Sequence, residues 1–255
     1  MFDIHTHILP AVDDGPQAMA DAVEMVRRAE SDGARIMVAT PHGKDVSENY
    51  PNGAIRAVHN ALRAELAKAG IGVDVLLGME NAMAADLHRK VAAGAQFPYP
   101  GGRYILVELP YFGYPPYANE VLFQLQLAGL TPVLAHPERT VLFQHHPNKL
   151  AEMVERGMLV QVTAGGLLGL FGPEGRKAIE EFLRMGIVHV IASDTHTPDG
   201  ERGPGLRHAM EAAERLVGLA RVEAMVMAAP EAIARGEPLP ELPPVSAPKR
   251  RWIFG

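Results

Sequence analysis

Two histidines close the first predicted strand, in the run Asp3-Ile4-His5-Thr6-His7. Residues two apart on a strand point to the same side, so both imidazoles can bind one metal ion. A His-x-His pair also arises by chance on ordinary protein surfaces. The pair therefore indicates a metal site only if further ligands lie at matching positions in the fold.

Further potential ligands follow the ends of later predicted strands. They are His42, Glu80, Glu108, His136, Asp194 and His196. Only the sixth predicted strand lacks an obvious ligand at its end. In a parallel barrel the carboxyl ends of all strands meet on one face, where active sites of this architecture lie. Random placement would scatter these side chains over helices and loops, so their distribution predicts one metal cluster.

Short apolar runs and helical spacing alternate along the chain. The predicted strands span residues 2–5, 35–40, 73–79, 104–109, 131–135, 159–162 and 188–192. The predicted helices span residues 18–29, 54–69, 82–92, 117–128, 148–156, 174–185 and 206–217. This alternation indicates parallel strands joined by crossovers, and seven repeats predict an α/β fold of the (β/α) barrel type. An open doubly wound sheet is the alternative, but no Gly-rich phosphate loop follows the first strand.

Composition excludes several classes of function. The 255-residue chain has a formal net charge of -6 and therefore no global basic field for nucleic acid. It contains neither the ~20-residue apolar run of a membrane span nor the pattern of a signal peptide, so we expect a cytoplasmic protein without membrane insertion. Cysteine is absent, which excludes a thiolate nucleophile and sulfur ligands. A metal site must use nitrogen and oxygen donors, which suit Mn, Fe and Zn.

The end of the chain differs in composition from the rest. Prolines are frequent after Gly236 and are followed by Lys249-Arg250-Arg251-Trp252. Such a proline density disfavours regular helix and central strand. We therefore divide the chain into a barrel domain, residues 1–236, and a Pro-rich tail, residues 237–255. The tail is either loosely packed or a docking segment, the latter because Trp252 is the only tryptophan and lies beside three positive charges.

Several motifs resemble the polymerase-and-histidinol-phosphatase (PHP) superfamily. They are residues 3–15 (DIHTHILPAVDDG), 39–42 (ATPH), 136–139 (HPER) and 192–196 (ASDTH). Together with residues 162–172 (VTAGGLLGLFG), they are most similar to the bacterial capsular-type metal-dependent tyrosine phosphatases. The resemblance runs from residue 1 to about Gly236. It implies a distorted seven-stranded TIM-like barrel, the PHP fold, which holds three divalent metal ions; we expect Mn, with Fe and Zn as alternatives.

The resemblance also implies a role for each site residue. The first metal would be bound by His5, His7, Glu80 and Asp194. Glu80 would bridge to a second metal, which Glu108 and His136 complete. The third metal would be bound by Asp14, His42 and His196. Arg139 and Arg202 match positions that bind phosphate in this group. The chain departs from the family pattern at Gly43 and at Asn81, neither of which is an expected ligand.

The expected ligands suit cleavage of a phosphate ester. Three divalent cations and four carboxylates leave a net charge of about +2, which attracts a phosphate dianion. Metal ions lower the pKa of bound water, so we expect a metal-bound hydroxide to attack phosphorus. Glu138 and Asp199 are candidate general acids. The aromatic-rich loop 111–117 could stack on a phenyl ring or simply pack on the barrel.

Ordinary structural roles compete with three of these assignments. Asp14 could cap the helix that begins near Pro16, and Arg139 could form a structural salt bridge. Arg202 lies in a Gly-rich loop whose course the sequence does not define. By contrast, buried carboxylates at strand ends would be costly without a nearby cation, which favours metal binding by Glu80 and Glu108.

Several functions remain open at this stage. The first is a protein-tyrosine phosphatase that acts on a phosphotyrosine protein or peptide, such as the tail of a tyrosine kinase in exopolysaccharide regulation. The second is a small-molecule phosphatase of the histidinol-phosphate type, and the third is a non-catalytic metal-binding scaffold. An amidohydrolase is a fourth, although Glu108 occupies the place where those enzymes commonly carry a carbamylated lysine. A homo-oligomer is also left open.

Overall fold

Eight parallel strands form the centre of the computed structural model, which describes residues 1–50 and 53–246. They are β1 (Phe2–Thr6), β2 (Ile36–Ala39), β3 (Asp74–Leu77), β4 (Glu80–Ala82), β5 (Tyr104–Glu108), β6 (Thr131–Ala135), β7 (Leu159–Thr163) and β8 (Val190–Ala192). A sheet of order β1-β2-β3 and a sheet of order β4-β5-β6-β7-β8 contain all of them. The α/β class and the parallel pairing predicted from the sequence are confirmed.

The two sheets meet at two isolated bridges. Thr6 at the end of β1 pairs with Thr195 beyond β8, and His42 beyond β2 pairs with Glu80 at the start of β4. Both bridges are parallel and both lie beside expected metal ligands. The two sheets are therefore joined at the edge where the predicted site lies.

The strand predicted at residues 73–79 ends earlier than expected, and Glu80 opens a separate strand instead of closing this one. The break lies at Gly78, where a Cβ atom would come within 3.0 Å of Val38 Cγ1. Asn81 supports the broken backbone, because its Nδ2 donates to the carbonyls of Met79 at 2.9 Å and Leu106 at 3.0 Å. The prediction of seven strands was therefore one strand too few among the described residues.

Helices pack around the sheets. They are α1 (Met19–Asp32), α2 (Gly43–Asn49), α3 (Ile55–Lys68), α4 (Leu87–Ala92), α5 (Ala118–Leu127), α6 (Val141–His145), α7 (Pro147–Glu155), α8 (Ala164–Leu168), α9 (Gly172–Met185), α10 (Leu206–Val217), α11 (Leu219–Val226) and α12 (Ala228–Arg235). Seven of these overlap the predicted helices, although α4 is shorter than predicted because residues 80–82 are strand. No described helix is both long and apolar enough to cross a membrane.

Apolar side chains from both sheets form a buried cluster. Ile4, Val38, Leu106 and Val133 are fully buried there and pack with Ile233 of α12. Larger apolar clusters fill the space between the strands and the surrounding helices. Burial on both faces explains the continuous apolar strands of the sequence.

The first part of the Pro-rich tail contacts the preceding strands and helices. Tyr104 donates its hydroxyl hydrogen to the carbonyl of Glu237 at 2.8 Å, and Arg221 Nη1 donates to the carbonyl of Pro243 at 2.6 Å. The amide of Ser246 donates to the carbonyl of Val217 at 3.1 Å. Residues 237–246 are therefore packed, whereas Trp252 lies outside the described residues.

Candidate metal centre

The backbone turns sharply where two strands deliver expected ligands. His136, directly after β6, has φ 32°, and Asp194, just beyond β8, has φ 55°. Residues other than glycine rarely adopt this left-handed region, and such strain concentrates at functional sites. The turns place both side chains at the carboxyl edge of the sheets, beside the ligands from β1 and β4.

All nine expected ligands lie at this edge. Three groups have donor atoms within 4.8 Å of one another: His7, Asp14, His42 and His196; His5, His7 and Glu80; and His42, Glu80 and Glu108. The other two ligands adjoin these groups. His136 Nε2 lies 2.9 Å from Glu80 Oε1, and Asp194 Oδ1 lies 3.4 Å from His5 Nε2. His42 belongs to two groups because its two ring nitrogens face different carboxylates, Asp14 at 3.3 Å and Glu80 at 2.9 Å.

Gln161 on β7 fixes the ring of His5. The amide nitrogen of Gln161 donates to the carbonyl of Val162 at 2.9 Å, so its oxygen faces His5 Nδ1 at 2.8 Å. An amide oxygen only accepts, so Nδ1 carries the proton and Nε2 presents its lone pair. His5 is thereby held in the form that binds a metal through Nε2.

Asp13 does the same for His7. Its Oδ2 lies 2.7 Å from His7 Nδ1 and also accepts from the amide of His42 at 3.1 Å. Its Oδ1 accepts from the amide of Gly15 at 3.0 Å. One buried carboxylate therefore orients two expected ligands, as carboxylates commonly do for histidines around protein metals.

His196 provides the clearest test of whether a cation fits. Its Nδ1 donates to the carbonyl of Asp194 at 2.8 Å, so Nε2 is the unprotonated nitrogen. This Nε2 is buried without a hydrogen-bond partner and lies 3.1 Å from Asp14 Oδ1. A lone pair facing a carboxylate is costly unless a cation lies between them. The donor set therefore fits divalent metal ions.

Protonation in the absence of metal leads to the same conclusion. Burial lowers the pKa of His7, but the contacts with Asp13 and Glu80 outweigh it and raise the pKa to about 10. His42 likewise reaches a pKa of about 11 through Asp14 and Glu80. Burial raises the pKa of Glu80, but His5 and His136 hold it well below its ordinary value. The cluster therefore requires positive charge, which protons supply when metal ions do not.

Arg139 lies beside the cluster between two aromatic neighbours. Its Cζ is 4.3 Å from the ring centroid of Tyr111 and 4.4 Å from that of Phe171. Its Nη1 lies 3.4 Å from Asp194 Oδ2. Cation–π contacts with two rings hold the guanidinium plane in place, with donors still free to bind an anion.

Arg202 reaches the cluster from the loop after β8. Its Nη1 lies 3.3 Å from Asp14 Oδ2, and its carbonyl accepts from the amide of His196 at 2.9 Å. Its side chain is 37% exposed, compared with 21% for Arg139. The two arginines thus approach the ligands from different elements, and Arg139 is the more firmly held.

The two candidate general acids lie in different surroundings. Glu138 is fully buried, and its Oε1 accepts from the amide and the hydroxyl of Thr163 at 2.8 and 2.7 Å. Burial raises the pKa of Glu138. Asp199 is exposed, and its Oδ2 lies 4.0 Å from Arg28 Nη1. Glu138 stands between His136 and Arg139 in the chain, and its hydrogen bonds tie it to β7.

Sequence reasoning did not identify Asp13 or Gln161 as supporting residues. Asp13 stands next to Asp14 in the first motif, which is a local signal that could have found it. Gln161 lies on the one predicted strand without an expected ligand, 156 residues from His5 along the chain. Its contact depends on tertiary structure.

Comparison with known proteins decides the family. The model of the family described as capsular polysaccharide synthesis, CpsB/CapC, matches residues 1–235. This chain belongs to the CpsB/CapC family. It is 34% identical to the tyrosine-protein phosphatase YwqE of Bacillus subtilis, over 100% of this chain and 99% of that protein. It is 24% identical to the tyrosine-protein phosphatase CpsB of Streptococcus pneumoniae, over 91% of this chain and 98% of that protein.

Solved structures agree with this assignment. A structure from the work on YwqE of Bacillus subtilis and CpsB of Streptococcus pneumoniae, described as unique metal-dependent tyrosine phosphatases, matches with a TM-score of 0.88. The match has 33% identity and covers 98% of this chain and 100% of that chain. A β-aspartyl dipeptidase of Fervidobacterium islandicum has a TM-score of 0.56 at 14% identity, over 91% of this chain and 74% of that one, which shows a shared fold alone. The resemblance drawn from the motifs is confirmed at the level of the family.

Proposed function

We propose that this member of the CpsB/CapC family is a metal-dependent protein-tyrosine phosphatase. The observation that carries the proposal is the convergence of histidine lone pairs and carboxylates beside Arg139 and Arg202. Such a site attracts and orients a phosphate dianion. The names of the relatives, which are tyrosine-protein phosphatases, support phosphotyrosine as the ester that is cleaved.

We propose three divalent metal ions, with Mn preferred over Fe and Zn. His5, His7, Glu80 and Asp194 would bind the first, Glu80, Glu108 and His136 the second, and Asp14, His42 and His196 the third. Bound metal ions would act as Lewis acids and would lower the pKa of water. Asp13 and Gln161 keep two of the histidines oriented for this task.

The protein's own side chains would position the phosphate. Arg139 offers a planar set of donors, held by Tyr111 and Phe171, to the oxygens of the phosphoryl group. Arg202, from the loop after β8, would exchange its contact with Asp14 for a contact with the phosphate. Electrostatic stabilisation of phosphoryl oxygens is the largest expected contribution of such groups.

A cavity beside Glu108 supports an aromatic leaving group. It has a volume of about 230 Å³ and is bordered by Met83, Leu109, Pro110 and Tyr111. Phe112, the residue after the lining residue Tyr111, is 84% exposed. An apolar cavity next to the metal ligands fits a phenyl ring better than the charged alkyl chain of a small metabolite. This favours a phosphotyrosine substrate over a histidinol-phosphate type.

We also propose a barrel architecture and a physiological partner. The bridges Thr6–Thr195 and His42–Glu80 support our proposal that the two sheets form one distorted barrel of the PHP type. The family description, capsular polysaccharide synthesis, agrees with a role in exopolysaccharide regulation. We propose a tyrosine kinase of that regulation as the physiological partner. The cytoplasmic location, a homo-oligomer and the division at residue 236 stay predictions.

Hydrolysis of matched substrates tests the proposed function. Mn-loaded protein is assayed with a phosphotyrosine peptide, the same peptide carrying phosphoserine, and histidinol phosphate. We expect a preference for phosphotyrosine that is lost in His136→Ala. Equal or better hydrolysis of histidinol phosphate would favour the small-molecule phosphatase. No hydrolysis of any of them by metal-loaded protein would favour the scaffold.

A further inference from the structure

A second cavity adjoins the candidate centre on the side of Arg202. It has a volume of about 370 Å³ and lies between α8, the loop before α9 and the loop after β8. We call it the flanking cleft and define it by Gly165, Leu168, Leu170, Glu201, Gly205 and His208, which all line it. Its volume is within the range of about 300–1,000 Å³ typical of ligand sites.

Two segments of the chain connect the flanking cleft to the proposed phosphate site. Leu170 lines the cleft, and the next residue, Phe171, lies over Arg139. Glu201 also lines the cleft, and the next residue, Arg202, contacts Asp14. Each of these two lining residues is therefore the chain neighbour of a residue at the proposed phosphate site.

The chemistry of the cleft does not suit a second anion. No lysine or arginine is among its described lining residues, and Glu201 contributes a negative charge. Leu168 and Leu170 form an apolar wall, while the glycines leave backbone groups accessible. Such walls fit a neutral stretch of polypeptide, whose own backbone pairs with backbone donors and acceptors.

We infer that the flanking cleft binds the polypeptide segment next to the phosphotyrosine of a protein substrate. This inference rests on the proposed function and deepens it. A small phosphorylated molecule would reach the arginines and the metals but leave the cleft empty. Contacts remote from the reacting bond would then raise kcat/KM for a peptide and not for a small aryl phosphate.

One substitution fills the cleft and another makes its apolar wall polar, both with little disturbance elsewhere. Gly205 has φ -165°, which any residue adopts, and a Cβ atom there meets only Gly203 O at 3.9 Å. Gly205→Phe therefore places a ring in the cleft, and Gly205→Ala is its matched control. Leu168 is 48% exposed, so Leu168→Gln removes apolar contact without a change of charge. Leu219, 49% exposed and outside the cleft, gives the control Leu219→Gln.

The test compares a phosphotyrosine peptide with para-nitrophenyl phosphate. We expect Gly205→Phe to lower kcat/KM for the peptide about tenfold and Leu168→Gln about threefold, with para-nitrophenyl phosphate changed by less than about twofold. Both controls should resemble the wild type on both substrates. If the ratio of kcat/KM for the peptide to kcat/KM for para-nitrophenyl phosphate is the same in Gly205→Phe as in the wild type, the inference is overturned.

Binding separates this inference from the proposed function. The probe is a fluorescent peptide with a non-hydrolysable phosphonate in place of phosphotyrosine, measured by anisotropy with Mn-loaded protein. If the wild type hydrolyses neither substrate, the proposed function fails. The Kd values for the peptide then test by themselves whether the cleft binds polypeptide. We expect Gly205→Phe to weaken the Kd about tenfold relative to Gly205→Ala. Equal Kd values for these two variants would overturn the inference.

Discussion

Nε2 of His5 lies 3.3 Å from Nε2 of His7 in the buried centre of the site. The Nδ1 atoms of both rings are committed to Gln161 and Asp13, so both Nε2 atoms point into the same space. Two facing lone pairs repel each other unless a proton or a metal ion lies between them. This relationship is the simplest reason to regard the edge of the sheets as a metal centre.

Gln161→Leu should weaken metal binding. The substitution removes the acceptor at His5 Nδ1 and frees the ring to turn, and loss of such support typically costs about 10- to 100-fold in metal affinity. The measurement is the Mn dissociation constant of metal-stripped protein, from competition with a chelating dye. Gln126→Leu, on the surface of α5, is the matched control. Equal affinities of the two variants would show that Gln161 does not support a ligand.

Metal binding should release protons. Without metal, the pKa of His7 is about 10 and that of His42 is about 11, so both rings are protonated at pH 7.5. Metal ions displace these protons, and the apparent affinity for Mn should therefore rise with pH. Calorimetric titration in buffers of different ionisation enthalpy should show release of about two protons. Heats independent of the buffer would contradict protonation of the empty cluster.

Arg139→Lys should impair catalysis more than metal binding. A lysine lacks the planar fork and loses the stacking on Tyr111 and Phe171, so kcat/KM should fall by about 10- to 100-fold. Metal content, measured by mass spectrometry, should stay at the wild-type level. Arg184→Lys on the exposed face of α9 is the control. A kcat/KM equal to that of the wild type would remove Arg139 from the proposed phosphate site.

Much of the site could be predicted from the sequence because strand ends follow from local apolar runs. The positions of His5, His7 and His136 depend only on where a strand stops. The break at Gly78 was missed because the apolar run continues through it, and only the close approach to Val38 reveals the constraint. The support from Gln161 was missed for a similar reason, since it depends on packing between β1 and β7.

The aromatic neighbours of Arg139 illustrate the same limit. Tyr111 follows β5, and Phe171 precedes α9, so no sequence spacing relates either residue to Arg139. The motif containing Arg139 marked it as a phosphate-binding candidate, but its orientation is a property of three separate loops. Local patterns thus predicted which residues form the site, and tertiary packing determined how they are held.

Phe112→Ala should reduce the preference for aryl phosphates. The ring is 84% exposed and follows Tyr111, which lines the cavity beside Glu108, so its removal should leave the fold intact. Lost stacking on the substrate ring should lower kcat/KM for a phosphotyrosine peptide about threefold to tenfold, because aromatic pairs contribute roughly 0.5–1.5 kcal/mol. Phe123→Ala, 52% exposed on α5, is the control. Identical kinetics of the two variants would exclude Phe112 from substrate binding.

His189 should make the fold less stable in mild acid. Burial lowers its pKa to about 4, and its Nδ1 accepts from the amide of Val160 at 3.1 Å, which requires the neutral ring. The unfolded chain, with a pKa near 6.5, binds the proton first, so the stability present above pH 6.5 is lost as pH falls toward 4. From pH 7.5 to pH 5 this amounts to about 2 kcal/mol.

Urea unfolding at the two pH values checks this contribution. His189→Gln keeps an acceptor for the amide of Val160 but cannot titrate. The wild type should therefore lose about 2 kcal/mol more than the variant between pH 7.5 and pH 5. Equal losses of unfolding free energy in the two proteins would show that His189 does not cause the pH dependence. Comparison with the variant cancels the titration of the metal cluster, which both proteins share.

In our proposal, the donors around Glu80 hold the metal ions that allow phosphotyrosine hydrolysis. The most direct measurement titrates metal-stripped protein with Mn and records bound metal and hydrolysis of a phosphotyrosine peptide in the same samples. We predict no hydrolysis in stripped protein and activity that rises with bound metal until about three ions are held. Full activity without bound metal, or a fully loaded protein that leaves phosphotyrosine intact, would show that this site is not a metal-dependent phosphotyrosine phosphatase.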